Sequence, residues 1–299
     1  MKKSLAITML IFFIMFGNVM SQAKFTSVDQ ARTFLSSQCS QATQPGLTYQ
    51  HAFQFETGRK GQVILTIVKA DAKGKSNTVS FEFFLEHLEP NKIMQLTSSK
   101  ELKIHAFAKG DQRLVKQTAS NKSSYSQFFP IYFDDMQKMR DAREAILYLM
   151  KESPVEKVAP SSEADAYNWI EANIKRSYSA NGKQYNMMLT IDRSNNNKLT
   201  YSISETDSKG AQKVMAYEFY MADFNVASFR VVVAKNQLSV NMVCSNNTKA
   251  VKYFENNVQK SYLNRFDLII DDAKLAMDLI SVFRFIKTGK TEVQPDEKK

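Results

Sequence analysis

Two carboxylates stand out by their surroundings. Glu82 lies in Val79-Ser80-Phe81-Glu82-Phe83-Phe84-Leu85 and Glu218 in Met215-Ala216-Tyr217-Glu218-Phe219-Tyr220-Met221. In a strand, residues two apart share a face, so Glu82 is set beside Phe84 and Glu218 beside Tyr220. An acidic group next to an aromatic ring is the composition of a binding face. The plainer reading is a solvent-facing strand position partly covered by a neighbouring helix, and the sequence favours it. The two do not form a glycosidase pair, whose carboxylates must face each other within about 5–10 Å, because they belong to separate stretches of chain. No catalytic residue is assigned.

The remaining chemistry-bearing residues are sparse. His51, His87 and His105 have none of the close spacings of H-E-x-x-H or zinc-finger sites, so no metal is expected. Strand alternation turns His105 away from Ile104, toward solvent. Serine is abundant but clusters in turns, and no G-x-S-x-G elbow is present. Nine glycines in 299 residues, with no G-x-G-x-x-G or Walker pattern, argue against nucleotide chemistry, and no cofactor is implied. Cys39 and Cys244 read as buried free thiols in preference to a bridge.

The elements that would position these groups come as two copies of one unit. Ser27–Ala31 falls on Ser162–Ala166 at an offset of 135, Phe81–Leu85 on Tyr217–Met221 at 136, and Asp134-Asp135 on Asp271-Asp272 at 137. Residues 152–161, holding Pro154 and Pro160, read as a linker. The expected organisation is residues 24–151 as a first β-rich domain, 162–289 as a second, and 290–299 as a disordered polar tail.

Each copy opens with a helix capped by a serine, Ser27 or Ser162, with Gln30 or Asp165 three residues on. Period-two alternation then marks strands. In the second copy these fall near 185–193, 198–206, 214–224, 228–235, 238–244, 249–255 and 262–270. Short turn clusters such as Ser194-Asn195-Asn196-Asn197 favour an antiparallel meander. Each copy ends in a helix starting at an Asp pair, Asp134-Asp135 or Asp271-Asp272, where carboxylates satisfy free backbone amides.

The expected fold class is α+β: two tandem similar domains, each an N-terminal helix, an antiparallel seven-stranded bent sheet or barrel, and a C-terminal helix. That element order resembles the pleckstrin-homology-like barrel. The repeat with its Asp-Asp helix start is also similar to duplicated modules of exported bacterial proteins. The resemblance does not bring phosphoinositide binding with it, since the loop equivalent to the one bearing Arg59-Lys60 is Ser194–Asn197.

Met1-Lys2-Lys3, the apolar run Leu5–Phe16 and Ser21-Gln22-Ala23 form a secretory signal with cleavage expected after Ala23. Its run of 12 residues is short of the ~20 that span a hydrocarbon core. Loss of Lys2 and Lys3 leaves 38 basic against 30 acidic residues, a formal charge of +8. The cations are scattered, which argues against nucleic acid as a partner. The chain is therefore expected to be periplasmic or secreted, with no transmembrane segment once mature. Its expected function is that of a non-enzymatic binding or scaffolding protein of the bacterial cell envelope, partnered by a protein, peptide or envelope polymer. The alternatives are a secreted hydrolase with an inter-domain site and a carrier of an apolar ligand.

Overall fold

The computed structural model describes residues 24–120, 122–154, 157–180, 182–234 and 236–291. The expected signal segment and residues 292–299 of the expected tail lie outside the described residues. The first half runs α1 (Val28–Thr33), β1 (Gln41–Gln44), β2 (Leu47–Phe55), β3 (Gln62–Asp71), β4 (Ser76–Phe84), β5 (Leu88–Thr97), β6 (Leu102–Ala108), β7 (Val115–Ala119), β8 (Lys122–Ser126), β9 (Phe128–Phe133) and α2 (Met136–Glu152). The second runs α3 (Glu163–Asn173), β10 (Lys175–Ala180), β11 (Lys183–Asp192), β12 (Lys198–Thr206), β13 (Gln212–Phe219), β14 (Arg230–Ala234), β15 (Gln237–Val243), β16 (Val251–Glu255), β17 (Val258–Leu263), β18 (Arg265–Ile270) and α4 (Ala273–Thr288). No helix among the described residues is long and apolar enough to cross a membrane.

Antiparallel sheet dominates, with few helices, an α+β architecture. In the first half β1-β2-β3-β4-β7-β8 form one sheet and β5-β6-β9 another; in the second the orders are β10-β11-β12-β13-β16-β17 and β14-β15-β18. The strand order of one half thus recurs strand for strand in the other.

The expected seven-stranded bent sheet or barrel is corrected. Each half has nine strands, and the described strands form four open sheets. Two features hid the difference. β1 and β10 are edge strands of mixed polarity without an apolar alternation. The run read as one strand over 262–270 breaks at Asn264, where the chain leaves the six-stranded sheet as β17 and enters the three-stranded sheet as β18. An apolar pattern that continues through such a corner does not announce the change of sheet.

Helix ends follow local chemistry. The Asp135 carboxylate accepts from Lys138 N at 2.7 Å and that of Asp272 from Leu275 N at 2.9 Å. Ser27 and Ser162 do the same for Gln30 N and Asp165 N. α4 stops at Gly289, whose φ of +71° is the left-handed conformation that glycine adopts without a Cβ clash. Helix α2 buries Met139, Ala142, Ile146 and Leu149 over the first half's core, and α4 buries Ala276, Leu279 and Phe283 over the second's. Each fully buried Leu, Ile or Phe contributes ~1.5–3 kcal/mol. The second core also takes in Ala108 and Leu114 from the first half, so the halves pack directly on each other.

Candidate functional site

The structure places the two singled-out carboxylates in their own sheets and does not bring them together. Glu82 on β4 accepts from Gln62 Nε2 at 2.6 Å and lies 3.8 Å from Lys116, its register partner on β7. Glu218 on β13 pairs with Lys198 at 3.6 Å. Their aromatic neighbours differ. Phe84 is buried, with the Arg59 guanidinium 5.0 Å from its ring centroid and His87 packed at 5.4 Å. Alternation ends there, because Phe83, Phe84 and Leu85 are buried in succession as β4 gives way to the turn Leu85–His87. Tyr220 is half-buried, and its hydroxyl donates to Asn195 Oδ1 at 3.2 Å.

The two Asp pairs have divided tasks. Asp135 and Asp272 cap their helices. Asp134 pairs with Lys138 at 3.3 Å, and Asp271 with Arg176 at 3.2 Å. The histidines occupy three environments. His51 is in the first core, where Nε2 accepts from Tyr132 N at 3.3 Å and burial pushes the imidazole down to about 4. His105 is half-buried against Phe128. His87 is buried, and burial lowers it to about 3. Cys39 and Cys244 are both free and buried.

What concentrates chemistry is the junction of the halves, which residue types and spacing did not single out. Arg59, in the β2–β3 loop, donates to Asp272 Oδ2 at 2.5 Å, so one carboxylate caps α4 and receives a cation from the other half. The Tyr125 hydroxyl on β8 donates to the Asp271 carbonyl at 3.0 Å. Lys274, in the first turn of α4, lies 3.7 Å from Glu86 across the junction and 2.5 Å from Asp278 on its own helix. Burial pushes both the Glu86 and the Asp278 carboxyls up. Asp272 is 7% exposed at its side chain whereas Arg59 is 42% exposed.

These residues wall two adjoining clefts that share Val158, Lys274 and Asp278. One, of about 430 Å³, is lined by Arg59, Trp169 and Arg176 among others. The other, of about 580 Å³, is lined by Glu86, His87, Lys109, Lys157 and Arg284 among others. Together they set six cationic side chains, Arg59, Lys109, Lys157, Arg176, Lys274 and Arg284, against three carboxylates in the walls, Glu86, Asp272 and Asp278, and a fourth, Asp271, that pairs with Arg176. Such a concave basic wall concentrates anions. Among the described residues no group of three or more His, Cys, Asp or Glu could hold a metal ion.

A usable signal lay in the departures from the repeat. At the offsets above, Glu86 falls on Ala222, His87 on Asp223, Lys274 on Gln137 and Arg284 on Leu147. These four junction groups have no like residue at the matching position of the other half, whereas Asp272 and Asp278 fall on Asp135 and Asp141. No protein-family model matches the chain, and comparison with curated proteins finds no match.

Proposed function

We propose that the chain is an exported, non-enzymatic binding protein of the bacterial cell envelope. In this reading two units copied from one ancestor, joined at residues 152–161, hold an anionic ligand where they meet. Recurrence of nine strands and a closing helix supports the tandem reading; of the likeness to a pleckstrin-homology-like unit, the strand-rich body and terminal helix are the supporting parts. The observation that carries the function is the cleft wall, where cations contributed by both halves outnumber the carboxylates. Against a hydrolase that would use the junction carboxylates as acid and base, Asp272 is bound to Arg59 while Glu86 and Asp278 flank the one Lys274 ammonium.

Equilibrium binding of the chain beginning at Lys24 to anionic polymers extracted from the cell envelope tests this reading. Saturable binding that weakens with salt, and weakens again in Arg176→Gln, is the expected result. Absence of saturable binding by any envelope fraction at low ionic strength overturns it.

A further inference from the structure

The contact between the halves uses unlike surfaces. On the first half it is made by the edge strand β8, the β2–β3 loop and the turn after β4; on the second, by the start of α4 and by strand β15, along which β8 lies. Tyr125 on β8 packs against the second core, and its hydroxyl donates to the Asp271 carbonyl at 3.0 Å. A heterologous contact of this kind leaves each half with the face that the other has used. The second half keeps an open edge strand, and the first keeps an open helix start.

Strand register identifies both faces. Lys116 lies opposite Glu82 and Tyr125, and Lys252 opposite Glu218 and Tyr262, so Tyr262 on β17 holds the place of Tyr125. Yet Tyr262 is 48% exposed, and Val258 on the same strand is exposed as well. β17 ends its sheet, and an open edge is a template for pairing with another chain. At the start of α2, Met136 follows the capping Asp135 as Ala273 follows Asp272. Ala273 is buried, whereas Met136 is 40% exposed. Ser239 and Asn241 on β15 are buried, while the matching residues of β6, Lys103 and His105, are half-buried. Of the five exposed large hydrophobic side chains among the described residues, three, Met136, Val258 and Tyr262, therefore fall on the two faces that the junction leaves open.

We propose that the chain associates head to tail with a second copy of itself, β17 of one copy lying along β6 and the start of α2 of the next, with the Tyr262 hydroxyl donating to the Asp134 carbonyl. The contact that joins the halves within a chain is thereby repeated between chains. This association goes beyond anion binding and does not depend on it. It is the weaker of the two contacts for two reasons. Arg59 and Glu86, which form ion pairs at the junction, are matched by Asn195 and Ala222. The halves of one chain are also tethered through residues 152–161 at an effective concentration of about the millimolar range, and separate chains are not. Chains beginning at Lys24 carry the same formal charge of +8, so they repel one another, and salt relieves that repulsion.

The test follows the mass of the chain beginning at Lys24 by sedimentation and light scattering at protein concentrations up to ~1 mM. The mass is expected to rise with concentration and to rise further with salt. Tyr262→Phe, which removes only the hydroxyl, should weaken association by about two- to tenfold. Val258→Lys/Tyr262→Glu places charges on the edge strand, and Met136→Glu places a carboxylate where a helix start accepts one. Each of these variants should be monomeric, with thermal midpoints close to that of the parent chain showing that both fold. Mixed together, each supplies the face that the other lacks, and the mixture should form a dimer of one of each and nothing larger. A parent chain that stays monomeric at ~1 mM overturns the proposal. So does association that weakens with salt, association that survives in either folded variant, or a mixture of the two variants that stays monomeric.

Discussion

Asp272 does two things at once, and its counterpart Asp135 does one, which lets the junction be measured. Both cap a helix, with carboxylate-to-amide distances of 2.9 and 2.7 Å, and loss of such a cap costs ~1 kcal/mol. Asp272 also receives Arg59 at 2.5 Å. A charged hydrogen bond of this kind is worth ~1.5–3 kcal/mol when shielded. The guanidinium is 42% exposed, and solvent screening reduces the figure to ~1 kcal/mol. Asp135→Ala should therefore cost ~1 kcal/mol and Asp272→Ala ~2 kcal/mol. Asp272→Asn, which caps as well as aspartate, should lose only the ion pair, ~1 kcal/mol. Arg59→Met should cost more than Asp272→Asn, because it strands a carboxylate that is 7% exposed, whereas the converse leaves a guanidinium that water can reach. Urea unfolding at pH 7 of the single variants and the Arg59→Met/Asp272→Asn pair measures these differences, and the double-mutant cycle should return ~1 kcal/mol of coupling. Equal losses in Asp135→Ala and Asp272→Ala, together with zero coupling, would refute the claim that Asp272 joins the halves.

Three further outcomes are expected. His51 and His87 are held at about 4 and about 3, below their ordinary 6.5. The unfolded chain thus takes up protons from 6.5 downward before the native state does, and stability falls through that window by ~1.4 kcal/mol per pH unit per histidine. Glu86 and Asp278, pushed up by burial, act in the opposite sense: their contribution is present at low pH and lost as pH rises through their native values. Urea midpoints from pH 7 to 4 should show a net loss that flattens in His51→Leu/His87→Leu; an unchanged slope would contradict the burial argument. Burial pushes the Cys39 thiol up to about 12 and raises Cys244 as well, so neither should react with a thiol reagent in the native protein and both should react after denaturation without reductant. Gly289→Ala should cost ~1 kcal/mol for placing a Cβ in the left-handed region, measured as a lowered thermal midpoint. Gly58→Ala, with nothing within 4 Å of the added Cβ and no positive φ, should be close to neutral.

Features set by neighbouring residues were legible in the chain. Asp135 and Asp272 mark helix starts because the capping carboxylate and the amide it binds are three residues apart. The alternation of Leu199, Tyr201 and Ile203 predicts their burial on β12. Features set by distant residues were not. Phe84 reads as an outward aromatic by alternation, yet the turn and the Arg59 guanidinium enclose it. Gln62, 20 residues from Glu82, becomes its hydrogen-bond donor only through the β3–β4 pairing.

By itself the sequence determined the repeat, the antiparallel α+β character and the caps, because periodicity, propensity and capping act over a few residues and are written in order along the chain. The tertiary structure decided that strands split between two open sheets, that Arg59 meets Asp272 across 213 positions, and that His87, Gln112 and Arg284 share a wall. Those juxtapositions arise from packing one half on the other, and the residues that make them carry no period to betray them.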